Sequence, residues 1–204
     1  MRISTTAANV RPDYQAYYPR QHWAVEALLG SPEFEELQWT SLQPNVFFSF
    51  ALGPVVEFVK NYRKTGKQDT LRLMLDKDAL VGVIDADDIG RFAAALLSQD
   101  DHSVHNKRKY VLNGPEDITG QQAVKLAEQY LGTPVEDVVF RDLSFLDSWA
   151  ASIKENKTHI LSIKYAPVTA WEGKCSAATT SKEVKELAAP QTTAAKWLEN
   201  ALKA

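Results

Sequence analysis

The sequence predicts an α/β fold, and three observations carry that expectation. Helical and strand patterns alternate between residues 18 and 113, as in a parallel sheet built from crossover units. Ile89, Phe92, Ala93, Leu96 and Leu97 draw the stripe of an amphipathic helix. Composition agrees: 45% of the 204 residues are apolar and 24% charged, enough to bury a core in one large domain or two small ones.

Residues 1–17 read as extended and irregular, with Asn9, Pro12 and Asp13 as turn formers. A helix is expected from Pro19, whose missing N–H suits a first helical position, to Gly30 before Ser31-Pro32. On it Ala24, Ala27 and Leu28 make an apolar stripe, while Tyr18, His22 and Glu26 share another face at four-residue spacing. Residues 38–42 are a short strand running into a Gln43-Pro44 loop. Residues 47–60 predict a helix or broken helix with Pro54 as a kink or restart, inside a helical insertion over 47–70.

Short strands follow at 71–75 and 80–84. Asp87 and Asp88 open the helix over 89–97, where carboxylates cap free N–H groups and suit the helix dipole. Residues 110–112 form a strand ended by Asn113-Gly114-Pro115. Thr119 and Gln122 spell a capping box for a helix reaching Leu131 and closed by Gly132. A strand over 135–140, a helix over 144–155 and two closing helices over 181–188 and 192–203 complete the pattern. Residues 157–180 carry no clear periodicity. The division expected is an α/β portion over 1–114 and a mixed α/β, substrate-side subdomain over 115–204.

A formal charge of −3 argues against nucleic acid or an anionic membrane as a partner, and Lys107-Arg108-Lys109 reads as a solvated loop. The lone Cys175 excludes an intrachain disulfide and a cysteine-based zinc site, and fits a reducing compartment. The longest greasy stretch, 45–59, is broken by Gly53-Pro54 and Glu57 and falls short of a membrane helix. With no signal-peptide pattern at Met1, a soluble cytoplasmic protein is expected.

Four segments, in order, resemble the NmrA-like family, an atypical branch of the NAD(P)-binding short-chain dehydrogenase/reductases. They are the Tyr18–His22–Glu26 helix, Trp39 to Phe47, Asp85 to Gly90, and Asn113 to Thr119 with Leu131-Gly132. The resemblance implies the C-terminal part of a Rossmann-like parallel sheet. It implies NADP or NAD as cofactor, with a strand-end Ser4 or Thr5 and the Tyr18/His22 helix as one wall. Pro44, Asn45, Val46 and Phe47 form the other. In an active member Tyr18 donates or relays a proton and His22 binds ribose, during hydride transfer to a small carbonyl or quinone-type substrate.

Two departures from the family pattern bear on this reading. No G-x-x-G pair occurs in the chain, whereas the family's glycine-rich loop and following helix hold the pyrophosphate. A chain truncated at its N-terminus and deficient in cofactor binding is therefore expected, with strands and the helix over 89–97 stripped of apolar neighbours. Such a chain is expected to be partly unfolded, to aggregate, or to bury the gap against a protein partner or a second copy. The second departure is His22 where active relatives carry Lys: imidazole is mostly neutral at pH 7, so it offers a hydrogen bond but little field.

Simpler roles stand beside these. Tyr18 can be an amphipathic surface residue, and His22 with Glu26 a helix-surface hydrogen bond. His102 and His105 fit a solvated loop. Trp149, Trp171 and Trp197 suit either a pocket or a core. The alternatives to a reductase are a non-catalytic NAD(P)-sensing regulator acting through another protein, and an inactive fragment.

Overall fold

The computed structural model describes residues 1–203. Strand β1 (Arg2–Ile3) leads through an irregular segment to helix α1 (Tyr17–Leu29) and then β2 (Thr40–Pro44). Helices α2 (Phe48–Ala51) and α3 (Gly53–Thr65) precede β3 (Leu71–Leu73), α4 (Ala86–Leu97) and β4 (Arg108–Leu112). Then come α5 (Gly120–Leu131), β5 (Val138–Phe140), α6 (Ser144–Ser152) and α7 (Lys157–Ser162). Helices α8 (Val168–Trp171), α9 (Lys182–Ala188) and α10 (Ala194–Lys203) complete the described chain.

The α/β expectation holds: β1, β2 and β4 form a parallel sheet in that order, with Ile3 opposite Leu42 and Leu42 opposite Tyr110. A second parallel pair joins β3 to β5, Leu71 opposite Val138. Side chains alternate across a strand, so β2 presents Leu42 to one face and Ser41 and Gln43 to the other. Leu42, Tyr110 and Leu112 pack with Ile89, Phe92 and Leu96 of α4, and Val184 of α9 covers that layer. A larger core gathers Val55 and Val59 of α3, Leu71 and Leu73 of β3, Ala127 of α5 and Leu198 of α10.

Local signals in the sequence explain several ends. The Thr119/Gln122 capping box is formed, and Gly132 ends α5 at φ 73°, a conformation glycine adopts without steric cost. Pro54 sits in the first turn of α3, and Leu52 marks the break from α2. The cap of α4 is Asp85, which accepts from the Asp87 N–H, and not Asp87 or Asp88. Asp88 is buried, pairs with Arg91, and accepts the N–H groups of Gln191 and Thr192, tying α10's approach to α4.

The structure corrects other expectations. Strand β2 starts and ends two residues later than 38–42, so Gln43 and Pro44 belong to it. Residues 80–84 form no strand, because their backbone bonds are shared among separate segments. Val81 exchanges with Ile118, the Gly82 N–H goes to Cys175, and Ile84 lies between Val46 and Phe48. Gly114 crosses so near this segment that a Cβ there would strike the Val83 carbonyl. Nor is α4 stripped of neighbours: Leu42, Ile84 and Phe92 are fully enclosed.

Helix α1 starts at Tyr17, and its orientation is the reverse of that expected. Its apolar stripe of Ala24, Ala27 and Leu28 is exposed, as are Trp23 and Val25, while Glu26 is buried against the sheet. Hydrogen-bonding partners beneath Glu26 outweigh the apolar gain of the opposite turn. His105 is also buried, its Nδ1 2.7 Å from the Tyr110 hydroxyl, and not solvated. Lys109 lies in β4 and not in a loop. Among the described residues no helix is long and apolar enough to cross a membrane.

Candidate functional site

Parallel strands direct their C-terminal ends to one edge, and loops leaving that edge are where such sheets bind ligands. Here the ends of β1 and β2 and the start of α1 open onto a cavity of about 370 Å³. Every site residue proposed from the sequence lines it: Ser4, Thr5, Tyr18, His22, Pro44, Asn45, Val46 and Phe47. Tyr18 is thus a cavity residue and not a surface one, its ring edge-on to His22 at 6.3 Å between centroids. His22 and Glu26 do not bond one another, contrary to the helix-surface pairing.

His22 is held from the neighbouring strand. Arg2 Nη1 donates to the His22 carbonyl at 3.2 Å, and Arg2 Nη2 lies 2.5 Å from His22 Nδ1. Burial lowers the His22 pKa below its ordinary value, Arg2 pushes the same way, and Glu26 opposes them. Glu26 accepts from the Ser41 hydroxyl at 2.7 Å and the Gln43 amide at 3.1 Å, and pairs with Lys109 at 2.8 Å. Burial alone would raise its pKa, but Lys109 together with Ser41, Ser4 and Gln43 outweighs it and holds it below the usual carboxylate range.

Burial pushes the Tyr18 phenol above its ordinary pKa, the Thr5 side chain offsetting part of the rise. Tyr18 is therefore protonated at neutral pH, which suits a donor and not a base. Ser4 is buried, and its hydroxyl lies close enough to Glu26 to help lower that carboxyl's pKa without a hydrogen bond of full geometry.

The opposite wall is locked. Asn45 donates through Nδ2 to Asn113 Oδ1 and the Cys175 carbonyl, both at 2.8 Å, and its Oδ1 accepts the Val46 N–H. The Asn45 N–H reaches the Leu112 carbonyl at 2.9 Å, so this turn is positioned before any ligand arrives. Asn113 is held in turn by the hydroxyls of Thr179 and Thr180.

Several lining residues are not singled out for the site by the sequence, Trp171 excepted, which is a pocket or core candidate. The unpatterned 157–180 stretch supplies Thr169, Trp171 and Cys175, and residues near the N-terminus supply Asn9. Thr169 donates to Asn9 Oδ1 at 2.6 Å and accepts from Cys175 Sγ at 3.5 Å, while burial pushes the Cys175 thiol up. At the rim Phe50, Phe145 and Trp149 are 58%, 46% and 45% exposed. Trp149 and Trp171 therefore belong to the cavity, whereas Trp197 stacks on Phe48 in the core. Among the described residues no lysine or arginine lines the cavity.

No protein-family model matches the sequence, and no curated protein matches it. Solved structures do resemble the fold. An NADPH-dependent quinone oxidoreductase from Escherichia coli aligns with a TM-score of 0.68 at 18% identity, over 97% of this chain and 65% of its own. A Citrobacter sp. triphenylmethane reductase complexed with NADP(H) aligns at 0.64 and 16%, over 98% of this chain and 64% of its own. RMD from Pseudomonas aeruginosa, complexed with NADPH, aligns at 0.64 and 12%, again over 98% and 64%. The chain is a Rossmann-like α/β fold. It spans just under two thirds of the length of each of these structures.

Proposed function

We propose that this chain carries the nicotinamide end of an NAD(P)-dependent oxidoreductase site. What supports the reading is the convergence of Ser4, Tyr18, His22 and the locked 44–47 turn on one cavity, in a fold shared with NADPH-dependent reductases. The residues fit that end of the cofactor. Tyr18 and His22 offer hydroxyl and imidazole groups to the cavity, and about 370 Å³ lies within the ~300–1,000 Å³ typical of ligand sites. They do not supply a pyrophosphate cradle, since no paired glycines precede α1.

The nicotinamide, when bound, supplies a hydride. The chain's own part is to exclude water with Phe47, Phe50 and Trp149, to orient the ring against the 44–47 turn, and to hold a proton on Tyr18 Oη. His22 offers ribose one hydrogen bond as a neutral imidazole. The substrate is a small, uncharged carbonyl or quinone, because no cation lines the cavity to neutralise an anionic group.

The test is titration of the chain with NADPH and with reduced nicotinamide mononucleotide, followed by amide NMR. Shifts centred on Ser4, Tyr18, His22 and Val46, with NADPH binding no tighter than the mononucleotide, are expected. The reading fails if millimolar ligand leaves those signals unmoved. Where turnover of a quinone panel is seen, Tyr18→Phe should lower kcat by about 10²–10⁴-fold.

A second reading, a non-catalytic sensor of the cofactor that acts on another protein, is favoured by Tyr18 itself. Beside its phenol stands His22, a neutral imidazole where the resembled family carries a lysine that would assist. Mononucleotide binding without oxidation by any quinone or ketone would select it.

A further inference from the structure

Arg2 reaches His22 with both arms of its guanidinium. Nη1 donates to the carbonyl of His22 and Nη2 approaches the Nδ1 of the same residue, so backbone and ring are gripped together. A guanidinium has donors only and does not lose its proton in proteins. The nitrogen facing it at 2.5 Å must therefore be the acceptor, because an N–H there would meet another N–H. That leaves Nε2 to carry the ring's proton.

We infer that Arg2 is a positioning residue: it fixes His22 as the Nε2–H tautomer, so that the imidazole presents a donor to the cavity ligand. This deepens the oxidoreductase reading and rests on it for the ligand's identity, though not for the tautomer. A donor suits the lone pairs of a ribose hydroxyl or a carbonyl oxygen, and an Nε2 acceptor would serve neither oxygen's lone pairs.

The surrounding charges agree. From β1 comes Arg2 alone, and on α1 itself Tyr18 and Glu26 lie one turn to either side. The Glu26 carboxylate is already engaged by Ser41, Gln43 and, from β4, Lys109. Helix α7 also packs on α1, but it brings His159 edge-on to Tyr17. Burial and Arg2 together keep the ring neutral below its ordinary pKa.

Long-range ¹H–¹⁵N correlation of histidine-labelled protein tests this, the chain having four histidines and His22→Gln providing the assignment. The wild-type chain should show the Nε2–H pattern for His22, persisting to a pH below about 6.5. Arg2→Met should admit the Nδ1–H form and move the midpoint up toward about 6.5. An Nδ1–H pattern in the wild-type chain overturns the inference, and so does an unchanged His22 spectrum in a folded Arg2→Met. Should that variant not fold, the wild-type pattern decides alone. An Nε2–H ring in a chain that binds no nicotinamide would leave Arg2's role standing and sink the oxidoreductase reading instead.

Discussion

The two faces of strand β2 are held by opposite means. On one, Leu42 meets Ile89, Phe92 and Leu96 of α4 in a layer closed by Val184. On the other, Ser41 and Gln43 meet the buried carboxylate of Glu26 on α1, with Lys109 reaching in from β4. The apolar face is non-directional and tolerates sliding. The polar face fixes a register, because each donor must find its acceptor. That difference fits their tasks, since α1 carries Tyr18 and His22 into the cavity whereas α4 lines none of it. A helix that must place side chains is pinned by directional bonds, and one that only covers a sheet is not.

The comparison can be broken most forcefully on its apolar side. Phe92→Ala empties a fully enclosed site and should cost about 3–5 kcal/mol, read as a lowered Tm in thermal melts. A loss under 1 kcal/mol would mean that this face collapses easily. On the polar side, Lys109→Met leaves Glu26 buried without its cation, and about 1–3 kcal/mol should go in denaturant unfolding. Here the sharper readout is amide NMR around Tyr18 and His22, which should shift in Lys109→Met and stay put in Phe92→Ala. Equal shifts in both variants would show that the two faces do not divide the work.

Acid sharpens the contrast further. The folded Glu26 pKa lies below its unfolded value near 4.3, so its stabilisation is fully present above that pH. It is lost as pH falls through the lowered folded value. Glu26→Gln should therefore flatten part of the decline in stability below about pH 5, measured as denaturation midpoints against pH. Identical slopes in the two proteins would remove Glu26 from the account. The smallest effect is expected at Leu28→Ser on the exposed stripe of α1, within about 0.5 kcal/mol of wild type. A larger loss would show that this stripe is covered in solution.

The same contrast explains what could be read from the sequence. Helix α4 is legible because its burial follows its periodicity, and the α5 capping box because the motif is local. The residues Tyr18, His22 and Asn45 are grouped by resemblance to a known family, and all three line one cavity. The turn of α1 is not legible, since periodicity weighs apolar gain and cannot see Ser41, Gln43 and Lys109 waiting across the chain. Residues 80–84 look like a strand because Val81, Val83 and Ile84 are β-prone, yet their partners are scattered. Thr169 and Cys175 escape for a related reason: their roles depend on Asn9, far away in sequence.

The stacking of Trp197 on Phe48, and the burial of Leu198 against α3, reach beyond stability. Helix α3 leaves the ribosome ahead of the side chains that cover it, which follow about 140 residues later. Throughout that interval Phe48, Val55 and Val59 lack their final neighbours. Completion of this core thus waits on α10, and contacts so distant in sequence form slowly. A ribosome stalled before residue 194 would carry an unfinished core, however well formed its helices.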